Sequence, residues 1–225
     1  IPKDPRMAAL WDKYYEVMPA REMPSIYPPA SQWVFRATWK LFPGPTAFKV
    51  PFATADVLAL LLLAWMFRKE PDRNFRVAVY AWNPLVIVEF AGSGHNDALA
   101  ILGIVCGLAL VKNWKVLANV PIAFAAMAKA FPALLIPVWI RKAGWPEKRA
   151  GWWAAAVAGG TMLALLAPYW DALGMFHVNM TYYEATWKNY HGSLYTVIDW
   201  LAGGKARIAP YVGIGACWGL SLWLA

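Results

Sequence analysis

Apolar positions along the chain gather into long runs separated by short charged breaks, the pattern of membrane-crossing helices rather than of amphipathic surface ones. A bilayer crossing needs about 20 apolar residues as a helix. Residues 46–67 satisfy that, with Lys49 and Asp56 embedded. Residues 77–92 form a shorter span and 96–111 another, joined by Gly92-Ser93-Gly94. The runs 150–169 and 206–225 complete the set. Ahead of them, residues 1–32 are mixed and proline-rich and predict a loop, with a short helix over 6–17. Residues 33–42 are amphipathic, carry Arg36 and Lys40, and stop at Pro43-Gly44-Pro45, which predicts an interfacial helix.

Composition strengthens the membrane reading. The 225 residues are 60% hydrophobic and only 15% charged, against about 45–50% and about 25% in an average soluble domain. A disordered chain, a disulfide scaffold and a soluble nucleic-acid binder are thereby excluded. Cys106 and Cys217 lie in apolar stretches without metal-ligand spacing, so no metal site is expected. The net charge of +8 is concentrated in short loops at 68–76, 112–115 and 141–149, which hold ten of the twenty-one basic residues. Such loops mark the cytoplasmic side and contact anionic lipid. A single crossing over 116–141 would separate two of them. Lys129, Pro132 and Pro137 interrupt that segment, so we expect two half-depth helices that turn near Lys129 and keep all three basic loops on one side.

The expected architecture is an all-α polytopic transmembrane bundle with short outer-face loops and a broken or re-entrant helix at 116–141. It is one membrane domain: 1–32 an outer loop, 33–42 interfacial, 46–169 the bundle, 170–205 an aromatic outer loop, and 206–225 a truncated span. The chain starts Ile-Pro-Lys-Asp and stops inside an apolar run, which reads as the interior of a longer polypeptide. The aromatics of 170–205 suit either an interfacial belt or a wall that binds sugar or lipid.

Ionisable residues at membrane depth are costly and therefore candidates for function. Asp56, Glu89, Asp97 and Lys129 are the deep ones, with His95 beside Asp97. In Trp82-Asn83-Pro84 the proline breaks a helix and frees a carbonyl that Asn83 can help satisfy. Gly92 and Gly94 permit a tight turn, and His95-Asn96-Asp97 open the next helix. There Asn96 and Asp97 either cap the exposed amides or, at a helix N-terminus that favours anions, contribute to a sugar-phosphate site. Tyr27-Pro28-Pro29 precedes Ser31, a candidate N-cap. Lys129 reaches the outer cavity to pair with phosphate, or else is a buried partner of Asp56 or Glu89. In the late loop, Lys188, Asn189, His191 and Ser193 form a hydrogen-bonding group whose histidine is either a general base or simply solvated.

Tyr27-Pro28-Pro29, Trp82-Asn83-Pro84-Leu85, Gly94-His95-Asn96-Asp97, Lys129 with Phe131-Pro132, and Asn189 through Tyr195 follow one another in an order that resembles the GT-C glycosyltransferases. These use polyprenyl-phosphate sugars, and the likeness is nearest to bacterial alpha-mannosyltransferases that extend lipid-linked mannans. The resemblance implies an integral enzyme of the bacterial inner membrane with its active site on the outer side. It implies transfer of a hexose, mannose first, from a polyprenyl phosphate to a glycan or glycolipid acceptor, with no cofactor beyond that lipid-linked donor. On this reading His95, Asp97 and His191 are the catalytic candidates. Tyr27, Asn96, Lys129, Lys188, Asn189 and Ser193 are the substrate-binding ones. Enzymes of this kind also carry an acidic catalytic residue after their first transmembrane helix, a position that falls upstream of residue 1. A transporter or flippase, and a catalytically silent subunit of a larger assembly, are the competing classes.

Overall fold

A computed structural model describes residues 4–17 and 25–174, together with 21, 23, 200, 203 and 219. The expected span 206–225 and nearly all of the loop 170–205 lie outside the described residues. The chain divides into two compact units, Ile1–Ile26 with Pro168–Tyr211 and Tyr27–Ala167 with Val212–Ala225. In the first, the short helix expected over 6–17 is instead two 3-10 turns, Pro5–Leu10 and Tyr15–Val17. Between them the Asp12 carboxylate accepts the amide of Tyr14 at 2.8 Å, a local bond that competes with a helix.

The second unit is helical, and no strand occurs among the described residues. Helix α1 (Pro29–Leu41) starts earlier than the amphipathic pattern suggests, because Pro29 at its first position supplies a helical φ and lacks only an amide that would be unpaired anyway. Helix α2 (Lys49–Met66) continues a 3-10 turn, and the run Pro45–Met66 is long and apolar enough to cross a membrane. So is Arg149–Ala172, which begins with α7 (Arg149–Leu166). The span expected over 77–92 is not one helix. It is α3 (Arg73–Ala81), a break, and a π-helical turn Val86–Gly92. Pro84 has no amide to continue the ladder, and the amide of Leu85 bonds the Asn83 side chain at 2.9 Å. The Asn83 oxygen therefore accepts an amide, where a donor to a freed carbonyl was expected. Helix α4 (Asp97–Val111) is shorter than a crossing and lies at 112° to the π-helical turn.

The segment 116–141 breaks at the expected place. Helix α5 (Asn119–Ala128) ends at Lys129, whose backbone is extended at φ −147° and ψ 146°. Pro132 has no amide to pair back into α5, so the helix cannot run on through it. A 3-10 turn Phe131–Leu135 leads to α6 (Ile136–Lys142). Glycines bring α4 and α5 together: a Cβ on Gly103 would stand 2.6 Å from the Pro121 carbonyl and 2.7 Å from Ala125, and one on Gly107 2.7 Å from Ile122. Small residues at such contacts let helix backbones approach where apolar solvent gives no hydrophobic drive.

These contacts fix the ends of the bundle. Ala118, Ile122 and Trp139 form one core with Leu110, Val111 and Val138 around it. The end of α4, the start of α5 and the returning α6 therefore meet, and 116–141 leaves and re-enters the same end. The Lys49 ammonium donates to the Gly92 carbonyl at 2.7 Å and the Tyr80 hydroxyl to Asp56 at 2.7 Å, so the α3–π run returns antiparallel to α2. Gly151 of α7 packs on Trp145. The basic loops 68–76, 112–115 and 141–149 thus share one end. At the other, Ala30, Phe52, Ala98, Leu99, Met127 and Ala128 form the larger core, with Leu165 and Leu166 against it.

Candidate active site

The polar groups of the opposite end are brought there by helix termini. The break at Lys129 leaves the Ala128 carbonyl, at the end of α5, without an intrahelical partner. Two side chains from distant elements supply one. The Ser31 hydroxyl of α1 donates to it at 2.8 Å, and the Asn96 amide, just before α4, donates to it at 3.2 Å and to the Ser31 oxygen at 2.8 Å. Ser31 is 0% and Asn96 4% exposed, so the bonds are made where water cannot replace them. Neither residue has the capping role expected of it. Pro28 holds the N-cap position of α1, and Asn96 holds that of α4 but makes no side-chain cap bond, its oxygen facing the Lys129 ammonium instead of the helix amides.

Lys129 carries the network to the surface. Its ammonium stands 3.0 Å from the Asp97 carboxylate and a long 3.5 Å from the Asn96 oxygen, with about a third of each charged side chain exposed. The pair joins the C-terminal end of α5 to the N-terminal end of α4, where the helix dipoles favour a cation and an anion respectively. An ammonium offers three protons, so one position remains for a ligand. Asp56 and Glu89, the partners considered for Lys129, are engaged elsewhere. Asp56 accepts the Tyr80 hydroxyl. Glu89 lies 3.2 Å from Nδ1 of His95.

His95 ends a turn held at several points. The Ser93 amide donates to Val88 at 2.8 Å and the His95 amide to Glu89 at 2.9 Å. Gly94 takes φ +74°, which a side chain would strain, and faces Lys49 at 3.0 Å. Tyr27 stands before α1 with its ring edge-on to Phe35 at 5.2 Å. Lys188, Asn189, His191 and Ser193 lie outside the described residues. Asn96, Asp97 and Lys129 are therefore brought into direct contact, with His95 adjoining them in the chain. The sequence offers Ser31 only as a cap, and Glu89 as a deep acid that is either functional or a partner of Lys129, not as a neighbour of His95. Glu89 had a usable signal: it lies six residues before His95 across two glycines, close enough for a tight turn to return it.

Residues 16–143, more than half of the chain, match the MptA_B family, described as alpha-(1->6)-mannopyranosyltransferase, N-terminal domain. The chain belongs to this family. The matched region holds every residue of the network from Ser31 to Lys129, together with the Glu89–His95 pair. No curated protein and no solved structure matches the chain. Membership bears out the resemblance read from the ordered motifs and supports glycosyltransferase activity. With two helices long and apolar enough to span, it describes a membrane protein with a sugar donor and acceptor.

Proposed function

We propose that the chain forms the donor-phosphate side of a membrane mannosyltransferase site. The enzyme moves mannose from a polyprenyl phosphate to a hydroxyl of a glycan or glycolipid on the outer face of the bacterial plasma membrane. Lys129, held at the break of α5 with a proton to spare, is the observation that carries this reading. The family's mannosyltransferase description and the clustering of the basic loops at the far end both support it. As the bond from mannose C1 to the phosphate oxygen breaks, its electron pair leaves with the phosphate, and the acceptor oxygen bonds to C1. The transition state has oxocarbenium character, as in glycoside chemistry generally. Lys129 stabilises the charge gathering on phosphate in a site that water screens poorly. Asn96 orients the lysine. Tyr27 stacks on the sugar or prenyl chain, and Lys188, Asn189, His191 and Ser193 of the late loop meet the acceptor. No cofactor beyond the lipid-linked donor is required.

Transfer of labelled mannose from polyprenyl phosphomannose by the purified full-length protein tests this. Lys129→Ala is expected to lose roughly 10²–10³ in rate, as when a comparable preorganised group is removed. Lys129→Arg should be only partly tolerated, because a planar fork does not replace a compact ammonium. Lys129→Ala also strands Asp97, so Lys129→Met with Asp97→Asn should recover folding without recovering transfer. Wild-type turnover by a folded Lys129 variant lacking the cation would overturn the assignment.

A further inference from the structure

We propose that the loop between α4 and α5 binds the phosphate headgroup of an anionic membrane lipid, at the end of the bundle away from Lys129. Of the three basic loops that share this end, it alone carries no acid. The 68–76 loop holds Glu70 and Asp72, and 141–149 holds Glu147. Those acids occupy cations of their own loops: Arg76 meets Asp72 at 2.7 Å and Arg141 meets Glu147 at 2.8 Å. Between Asp97 and Glu147 the sequence has neither Asp nor Glu. Lys112 and Lys115 are exposed, and neither pairs with an acid among the described residues.

The loop is shaped as well as charged. Residues Lys112 to Leu117 line an open recess of about 390 Å³, a volume in the range of small-ligand sites. Its backbone is closed at both ends: the Trp114 amide donates to Leu110 at 2.7 Å and the Ala118 amide to Trp114 at 2.8 Å. Asn119, 0% exposed at the start of α5, braces it by donating to the carbonyls of Lys115 at 2.9 Å and Val116 at 3.3 Å. Both lysines are therefore carried on a fixed turn, and less backbone has to be ordered when an anion binds. Trp114 and Leu117 stand exposed beside them, at 61% and 49%. A free phosphate has no use for those apolar surfaces, whereas a lipid does. An indole settles at headgroup level, and Leu117 meets the first carbons of the acyl chains. The lysine ammonium groups and the indole N–H then donate to the phosphate oxygens. Basic recesses between helix ends are a recurring form of site for such headgroups.

The test is native mass spectrometry of the full-length protein in detergent, with dioleoyl phosphatidylglycerol or phosphatidylcholine added. Binding, not sugar transfer, is the readout, so the site stands or falls apart from the function proposed above. The wild type should bind phosphatidylglycerol more tightly than phosphatidylcholine. Each lysine removed should weaken that binding about 5-fold, and Lys112→Gln with Lys115→Gln together about 30-fold. Trp114→Ala should weaken it as well, which attraction by charge alone would not produce. Lys69→Gln with Arg73→Gln removes the same charge from a neighbouring loop and should leave the tightest binding unchanged. Inorganic phosphate in millimolar excess should not displace the lipid. Equal affinity for the two lipids, or undiminished binding by the Lys112 and Lys115 double variant, overturns the site. So does an equal loss from Lys69→Gln with Arg73→Gln, or no loss from Trp114→Ala, since either reduces the effect to net charge. Displacement by phosphate overturns it too, by giving the recess to a soluble anion.

Discussion

At the end of the bundle where α4 begins, polar groups from α1, α4 and α5 bond to one another across long stretches of chain, and the inner members are buried. At the opposite end, among the described residues, the ion pairs join near neighbours. Arg76 meets Asp72 four residues away at 2.7 Å, and Arg141 meets Glu147 at 2.8 Å, with every partner well exposed. The helices there are held by the apolar contact of Ala118, Ile122 and Trp139 instead. The cost of an unmade bond explains the difference. A buried donor or acceptor that loses its partner cannot turn to water, so the Ser31–Asn96–Ala128 bonds dictate how three elements meet. An exposed pair exchanges one hydrated state for another and dictates little. Lysine and arginine in excess at that end are expected to act through their number, as a bias on which side of a membrane the loops occupy.

The strongest way to break the comparison is topological. Single cysteines placed in 68–76, 112–115 and 141–149 of the full-length protein should all react with an impermeant reagent from one side. A cysteine in the 92–95 turn should react from the other. The expected effect is all or none. Opposite labelling of 112–115 and 141–149 would mean that α5 and α6 together cross the membrane, and the two ends would lose their meaning.

Next in size is the buried network. Asn96→Ala removes a donor shared by Ser31 and Ala128 and a contact of Lys129. A buried group left without its partner costs about 1–3 kcal/mol, measured as a loss of unfolding free energy in detergent. Ser31→Ala should cost less, about 1 kcal/mol, because Asn96 still reaches the Ala128 carbonyl. If both variants match wild-type stability, the network does not organise the site end.

Hydrophobic runs make the helical class and the two membrane-length helices legible in the sequence, and Pro132 with Lys129 places the break in 116–141. Both rest on local chemistry: apolar length, and a proline that cannot pair. Proline also announces a break at Pro84, yet apolar length alone over 77–92 suggests one span, because hydropathy does not register a missing amide. The partners inside the site are least legible. Asn96 satisfies an N-cap rule perfectly well on its own, and only the arrival of Ala128 from another helix redirects its amide. Lys129 likewise has several acids at plausible depth. Antiparallel packing of α4 and α5 through Gly103 and Gly107 selects Asp97 among them.

The smallest expected effect belongs to the exposed pairs, and pH isolates it. The Arg76 side chain, hydrogen-bonded to Asp72, holds that carboxyl below its ordinary value of 3.8. Arg141 likewise holds Glu147 below 4.5. A carboxyl whose value is lower in the folded state binds protons more readily when unfolded, so it contributes stability above its unfolded value. That contribution fades as pH falls below the ordinary value and through the folded one. Solvent and salt screen both pairs because they are exposed. Asp72→Asn and Glu147→Gln should therefore lower Tm slightly at neutral pH. The difference from wild type should shrink in high salt, decline as pH falls below those ordinary values and vanish only below the lowered folded-state ones. Asn96→Ala carries no titrating group and should keep most of its deficit in salt. A salt-insensitive loss from Asp72→Asn as large as that of Asn96→Ala would show the basic end to be held by its charges after all, contrary to the role assigned to Trp139 and its apolar neighbours.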